Sequence, residues 1–178
     1  MKHKQSSPWL PTFYTSTLFE VTPQFFLQQN IHFVCCDLDN TLAPYDELTP
    51  RPKVKQWVTA LKEAGLTFLI ISNNDEQRVK PFATALGVDY LAKTGKPFKD
   101  KLLIFLQQKG YPKDKVMIVG DQLLTDVWLA NRLGMKSLFT EKLVPYDHWP
   151  TKPNRFIESF LKKRYLRLNQ FNHWRNQE

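Results

Sequence analysis

The chain has 178 residues, a formal net charge of +8, and a composition, 42% hydrophobic and 24% charged, that is typical of globular proteins. This length suffices to bury a hydrophobic core without disulfides, so we predict a single domain over residues 1–178. It has no run of about 18 apolar residues, and no signal-peptide apolar stretch follows the basic N-terminus. We therefore expect a cytoplasmic protein and exclude an integral membrane protein.

The first 30 residues are rich in aromatic residues and prolines and show weak periodicity. Within them, Thr22 followed by Pro23 predicts the start of a short helix, because threonine caps helices and proline fits their first position. Aromatic residues at this density indicate a segment that packs on the core. An exposed cluster would instead mark a contact with a membrane or a protein, and the sequence leaves both interpretations open.

The apolar run 31–36 predicts a central parallel strand that is buried on both faces. Cys35 and Cys36, the two cysteines of the chain, lie in this run. Because neighbouring residues of a strand point to opposite faces, we expect two buried thiols in a reducing compartment rather than a mutual disulfide or a shared metal. The run ends at Asp37, and Asp39 follows two positions later.

Strand and helix patterns alternate along the chain after this first strand. Strands are predicted at 66–71, 88–92, 115–120 and 135–139, and helices at 54–65, 74–86, 98–109 and 123–133. Such alternation is typical of βαβ units, which build a mostly parallel sheet with helices on both faces. We therefore predict an α/β fold, a doubly wound three-layer sandwich with a central sheet of about five strands.

The C-terminal segment 151–178 carries seven lysines and arginines against two glutamates, which accounts for +5 of the net charge. Its helical pattern places several apolar residues on one side: Phe156, Ile157, Phe160, Leu161 and Leu168. One interpretation packs this apolar side on the sheet and leaves the lysines in water. The other docks the basic helix on an anionic partner, such as a phospholipid surface or nucleic acid.

Polar side chains follow the carboxyl end of each of the first four predicted strands. In strand order they are Asp37 and Asp39, Ser72 and Asn73, Lys93 and Lys96, and Asp121 and Asp126. In open α/β sheets the ligand binds beyond these strand ends. Taken singly, each residue has a structural explanation as a turn, capping or solvated residue. Their joint occurrence at four strand ends indicates one binding crevice.

These residue types suit phosphoryl transfer. Asp37 can attack phosphorus to form an aspartyl-phosphate, and Asp39 can protonate the leaving alcohol and then deprotonate the hydrolytic water. The carboxylates of Asp37, Asp39 and Asp121 would repel one another unless a hard cation such as Mg²⁺ offsets their charge. Ser72 can donate a hydrogen bond to a phosphate oxygen, and Lys96 can offer a positive charge to the phosphate and to Asp37.

Four stretches of the sequence resemble the ordered motifs of the haloacid dehalogenase (HAD) phosphohydrolases. They are 37–42 (DLDNTL), 70–74 (IISNN), 96–97 (KP) and 120–126 (GDQLLTD). The closer similarity is to subfamily IIIA and its YqeG-type members, and the resemblance covers residues 20 to 170 of this chain. Lys93 is a rival for the role of Lys96, but a lysine followed by proline matches the family pattern better.

By this resemblance, Asp37 is the nucleophile and Asp39 is the general acid and base. Ser72 and Lys96 bind the phosphate, and Asn73 is assigned to the phosphate site beside them, with its neighbouring asparagine as a turn or supporting residue. An aspartate at position 39 is typical of the phosphatases and mutases of the family, so hydrolysis is favoured.

The resemblance also implies a metal site for Mg²⁺. Asp37, the backbone carbonyl of Asp39 and the carboxylate of Asp121 are its expected ligands. Asp126 is expected to support the metal through a water or a neighbouring ligand.

The substrate is predicted less sharply than the reaction. The stretches after Thr41 and after Asn74 are too short for a cap domain over the site, so we expect an open site that admits large substrates. YqeG-type sequences are similar to the organellar phosphatidylglycerophosphate phosphatases, which makes that phospholipid the first substrate to test. The alternatives are a soluble sugar or nucleotide phosphate, a nucleic-acid end, or a weakly active scaffold that binds RNA or protein. DNA binding is not expected.

Overall fold

The structure, a computed structural model, describes residues 7–98, 100–145 and 152–177, and in the last range it describes side chains from residue 157 onwards. Six strands form one sheet: β1 (Phe13–Thr15), β2 (Phe33–Asp37), β3 (Thr67–Ile71), β4 (Asp89–Leu91), β5 (Val116–Gly120) and β6 (Lys136–Thr140). The strand order is β1-β6-β5-β2-β3-β4, and every neighbouring pair is parallel.

Helices connect the strands and cover both faces of the sheet. The α-helices are α1 (Pro23–Gln28), α2 (Pro52–Glu63), α3 (Glu76–Leu86), α4 (Asp100–Gln108), α5 (Trp128–Leu133) and α6 (Lys152–Arg167), and a π-helical turn, Leu123–Val127, precedes α5. The predicted cap of α1 is confirmed, because the Thr22 side chain accepts a hydrogen bond from the Phe25 backbone N–H at 3.4 Å. Asp75 caps α3 in the same way.

The hydrophobic core lies on both faces of the sheet, with β2 buried along its whole length. The two cysteines of β2 face opposite sides, as predicted. Cys36 packs in the cluster that includes α1, α2 and α3, while Cys35 packs in the cluster that includes α4 and α5. Both thiols are free and buried.

The predicted α/β fold with a mostly parallel sheet is confirmed, but the sheet has six strands rather than about five. The additional strand is β1, which pairs with β6 at the sheet edge. A pattern of three residues is too short to be distinguished from a loop, and the partner of β1 lies far away in the sequence. Phe13, Phe25 and Phe26 of the aromatic N-terminal segment are buried in the core, so the described part of this segment packs rather than forming an exposed cluster.

Helix α6 presents a different side to the core from the one predicted. Among its side chains from residue 157 onwards, Glu158 and Tyr165 are buried, with Leu161 partly buried beside them. The orientation follows from two polar contacts, since Glu158 accepts a hydrogen bond from the Leu124 backbone N–H at 2.9 Å and the Tyr165 hydroxyl lies 2.8 Å from Ser7 Oγ. The packing interpretation is therefore wrong for most of the predicted apolar side that the structure describes: Ile157, Phe160 and Leu168 are exposed. The side chain of Phe156 lies outside the described part.

The connections around the central strands are short. The chain passes from β2 to β3 through α2, and from β3 to β4 through α3. Both connections are fully described and neither holds a cap domain, in agreement with the prediction. Across the described ranges, we find no helix with the length and apolar character needed to cross a bilayer.

Candidate active site

Three neighbouring strands bring polar residues to one edge of the sheet. Asp37 is the last residue of β2, Ser72 directly follows β3, and Asp121 directly follows β5. Because β2 pairs in parallel with both β3 and β5, these strand ends lie side by side. Within the sheet, the chain continues from β2 to β3 and β4 towards one edge, and later forms β5 and β6 towards the other edge. Such a reversal is where α/β proteins bind ligands.

A buried cluster of carboxylates lies at this edge. Asp37, Asp121 and Asp126 each offer an oxygen atom, and these atoms all lie within 4.8 Å of one another. The Thr41 hydroxyl donates a hydrogen bond to Asp121 Oδ1 at 3.1 Å and lies 3.5 Å from Asp37 Oδ2. Carboxylate oxygens in this number are the donor set that hard divalent cations prefer. Asp126, predicted as a supporting residue, is thus in a position to contact a metal directly.

The Lys96 side chain lies inside this cluster and is 2% exposed. Its Nζ donates hydrogen bonds to Asp37 Oδ1 at 2.5 Å, Asp126 Oδ1 at 2.7 Å and the Ile71 carbonyl at 3.2 Å. Burial alone would lower the pKa of Lys96, but the charges of Asp126 and Asp37 raise it overall, so the ammonium form persists. Lys93, the rival from the sequence, is exposed.

Asp126 is held against the end of β5. Its Oδ2 accepts a hydrogen bond from the Gln122 backbone N–H at 3.2 Å. A Cβ atom at Gly120 would lie only 2.2 Å from the same oxygen, so the glycine leaves the space in which this carboxylate sits. Burial raises the pKa of Asp126 from 3.8 to about 7, against the opposing effect of Lys96. The site therefore holds more negative charge than its single lysine balances.

The Asp39 carboxylate points away from the acidic cluster. Arg78 contacts its Oδ1 through Nε at 3.0 Å and Nη2 at 2.9 Å, and Asn74 Nδ2 donates to its Oδ2 at 2.7 Å. Ser72 Oγ lies 3.5 Å from the same oxygen and accepts the Asn74 backbone N–H at 3.0 Å. Burial and the charge of Asp37 raise the pKa of Asp39, while Arg78 and Asn74 lower it. A raised pKa favours a carboxyl group that carries a proton to a leaving group.

The Asn73 side chain contacts the loop that carries Lys96. Its Oδ1 accepts the Lys96 backbone N–H at 2.7 Å, and its Nδ2 donates to the Lys96 carbonyl at 3.0 Å. The Thr94 hydroxyl lies 3.0 Å from the same Oδ1. Both ends of the Asn73 amide thus hold the loop that carries Lys96, and its role at the phosphate stays a prediction.

Sequence reasoning did not select Arg78 or Thr41 as functional. The predicted helix 74–86 contains both Asn74 and Arg78, and residues four apart lie on one face of a helix, which was a usable signal. An arginine in a helical pattern is nevertheless usually solvated, and nothing in the sequence marked this one as buried. Thr41 lies within the first motif, but its contact with Asp121 depends on the pairing of β2 with β5.

The sequence matches the family model described as "Hydrolase: haloacid dehalogenase-like hydrolase" over residues 8–153. The chain belongs to this HAD family. The probable phosphatase YqeG of Bacillus subtilis (strain 168) is 33% identical to it over 150 residues, which are 84% of this chain and 87% of the relative. The predicted family, the resemblance to YqeG and the enzyme class are confirmed, and the chain is a HAD-type phosphatase.

Solved structures of HAD phosphatases and related proteins share the fold. The cobalt-bound form of the deoxy-D-mannose-octulosonate 8-phosphate phosphatase from Haemophilus influenzae matches with a TM-score of 0.52 and 17% identity, over 64% of this chain and 70% of its own. An uncharacterised protein from Listeria monocytogenes serotype 4b matches with a TM-score of 0.52 and 20% identity, over 67% and 88%. These likenesses support the α/β architecture of the HAD family.

Proposed function

We propose that this HAD-type phosphatase hydrolyses phosphomonoesters with Mg²⁺ through an aspartyl-phosphate formed on Asp37. The observation that carries the proposal is the environment of the Asp37 carboxylate. The Lys96 ammonium lies 2.5 Å from one of its oxygens, and oxygens of Asp121 and Asp126 lie within 4.8 Å. Asp39, two residues further on, carries its own carboxylate beside the site without joining the acidic cluster.

The residues of this chain have separate tasks in the proposed reaction. In the first step an Asp37 oxygen attacks phosphorus, and Asp39 gives a proton to the alcohol oxygen that leaves. In the second step Asp39 takes a proton from a water molecule that attacks the same phosphorus, which breaks its bond to Asp37 and releases inorganic phosphate. The Ser72 hydroxyl accepts the Asn74 N–H and makes only a long 3.5 Å contact with Asp39 Oδ2, so its hydrogen can turn to a phosphate oxygen when substrate binds. Lys96 uses its hydrogens to hold Asp37 and Asp126, so it orients the nucleophile and lowers the negative charge of the site.

The acidic cluster fits a divalent metal in its chemistry. One ammonium group faces three buried carboxylates. Burial is the first cause of the raised pKa of Asp126, and the charges of Asp37 and Asp121 raise it further. Asp37, Asp121 and Asp126 would hold the ion with oxygen ligands, as Mg²⁺ prefers. When bound, the ion would neutralise charge on the phosphoryl group and allow two anions to approach.

Removal of the metal tests this part of the proposal. We expect purified protein to release phosphate from at least one phosphomonoester with Mg²⁺, and EDTA to lower the rate at least about 100-fold, because the cluster then repels the substrate. The panel should contain glycerol phosphate, sugar phosphates, nucleotides, phosphorylated oligonucleotides and phosphatidylglycerophosphate. Equal rates in Mg²⁺ and EDTA would contradict the metal assignment.

For the substrate, we propose a phospholipid head group at an anionic membrane surface, with phosphatidylglycerophosphate as the specific candidate. The supporting observation is the outer side of α6, where Ile157 is 52% and Phe160 65% exposed. Lys163 and Arg164 lie exposed on the same helix. Apolar side chains beside basic ones are typical of helices that lie in the interface of anionic bilayers.

Helix α6 also lies next to the site. A cavity of about 170 Å³ separates it from the end of β6, with this lining: Asp121, Leu123, Phe139, Glu141, Lys142, Glu158, Ser159 and Lys162. A membrane surface in contact with the outer side of α6 would therefore lie one helix away from this cavity, which Asp121 lines on its opposite side.

Vesicle binding tests the lipid proposal. We expect sedimentation with phosphatidylglycerol-containing vesicles to fall about 10-fold in the double variant Ile157→Ser with Phe160→Ser, since about 1.4 kcal/mol of apolar burial is lost. Ile104→Ser is the matched control, because Ile104 is 53% exposed but lies on α4. Unchanged binding of the double variant, or hydrolysis of soluble phosphates alone, would contradict the proposal.

A further inference from the structure

Arg78 is a buried charged residue outside the recognised sequence motifs. It lies in the first turn of α3, and its side chain is 8% exposed. Nε and Nη2 both contact Asp39 Oδ1, and Nη2 also donates to the Pro44 carbonyl at 3.2 Å. Pro44 belongs to the loop that follows Asp39, so one guanidinium joins α3, this loop and the carboxylate.

The energetics of this arrangement do not favour a purely structural role. Burying an ion pair costs desolvation that its attraction barely repays, and a well-packed apolar residue in its place is often neutral or stabilising. Nη1 of Arg78 is moreover buried without a hydrogen-bond partner among the described residues, which adds to the cost. What the arginine provides is a fixed position for the Asp39 carboxylate.

The partners of Asp39 divide its two oxygens between them. Arg78 contacts Oδ1, while Asn74 Nδ2 contacts Oδ2 at 2.7 Å. Asn74 lies between β3 and α3, and Arg78 lies in the first turn of α3. The side-chain contacts of the Asp39 carboxylate therefore come from the α3 region and not from its own loop. The Arg78 Cζ atom also lies over the Phe82 ring, 5.7 Å from its centroid, a distance at which a cation is attracted to the ring.

We infer that Arg78 is a positioning residue that aims the Asp39 carboxyl at the leaving-group oxygen, an inference that rests on the proposed phosphatase mechanism. Proton donation requires a fixed approach of the acid to the oxygen that departs. Without Arg78, the carboxyl keeps a single firm contact, with Asn74, and its loop loses the tie at Pro44. The rate of hydrolysis then falls most for substrates whose leaving groups need protonation.

The test compares two leaving groups in kcat/KM, which reports the steps up to the first irreversible one. An alkyl phosphate such as glycerol phosphate departs as a basic alkoxide and needs the acid, whereas p-nitrophenyl phosphate departs as a stable phenolate. We expect Arg78→Met to lower kcat/KM about 10- to 100-fold for the alkyl phosphate and less than about 3-fold for p-nitrophenyl phosphate. Arg78→Lys, which keeps the charge, should recover part of the alkyl phosphate activity.

Two controls separate positioning from general damage. Lys80→Met changes an exposed residue of the same helix and should leave both substrates unaffected. In an Asp39→Asn background, adding Arg78→Met should cause no further loss for the alkyl phosphate, because the residue acts through Asp39. Equal losses for both substrates, or full additivity with Asp39→Asn, would overturn the inference while leaving the phosphatase proposal intact. If the wild type hydrolyses phosphatidylglycerophosphate but not glycerol phosphate, that lipid serves as the alkyl phosphate of the comparison. A wild-type protein that releases phosphate from no substrate of the panel would overturn both.

Discussion

Asp37→Asn is expected to lower Mg²⁺-dependent phosphate release by at least about 1,000-fold, because an amide oxygen cannot form the aspartyl-phosphate. The substitution keeps the shape of the side chain, so the buried end of β2 should stay folded. Rapid acid quenching of the wild type during turnover should trap phosphate on the peptide that contains residue 37, with the sensitivity to hydroxylamine of an acyl phosphate. The variant should trap none.

Asp89→Asn is the matched control for this experiment. The Asp89 side chain is 67% exposed on β4 and makes only a long ion pair with Lys109 at 3.7 Å among the contacts described. Its replacement should change neither the rate nor the trapped phosphate. If the purified Asp37→Asn protein released phosphate as fast as the wild type, the role of Asp37 as nucleophile would be wrong.

The position of three site residues at strand ends could be predicted, because local sequence patterns determine where the buried strands end. Apolar runs of five or six residues indicate the buried strands, and polar residues directly after them fall at strand ends whatever the details of packing. Asp37, Ser72 and Asp121 are of this kind, since each lies at or next to the last residue of a strand. Their proximity then follows from the parallel pairing of β2 with its two neighbours.

Other features of the site depend on the directions of individual side chains, which the sequence does not determine. The choice between Lys93 and Lys96 depends on which residue of one loop points inward. That loop is held by Asn73 from another segment, which contacts the Lys96 backbone and the Thr94 hydroxyl. The burial of Arg78 needs both the turn of α3 and the loop at Pro44.

The orientation of α6 was missed for the same reason. A contact of Glu158 with the backbone of residue 124 brings a charged residue to the core side. Hydrophobic periodicity cannot anticipate a polar side chain that is buried by its hydrogen bond.

Lys96→Met is expected to lower the free energy of unfolding of the metal-free protein by about 3–5 kcal/mol, because it leaves buried carboxylates without their counter-charge. Urea unfolding at pH 8 measures the loss. Mg²⁺ should recover part of it, since a cation in the cluster replaces the missing ammonium, but phosphate release should stay abolished because Asp37 is no longer held. Lys93→Met, three residues earlier and exposed, should change stability by less than about 0.5 kcal/mol.

The pH dependence of this variant gives an independent check. Burial already raises the pKa of Asp126 from 3.8 to about 7 with Lys96 present, and loss of the lysine can only raise it further. A carboxyl group with a raised folded-state pKa contributes stability below its unfolded value, and this contribution is lost as the pH rises through the folded-state value. The destabilisation by Lys96→Met should therefore be smaller at pH 5 than at pH 8, and adding Asp126→Asn should remove much of the difference. A loss that is the same at both pH values would show that Lys96 stabilises the fold by packing and not by charge.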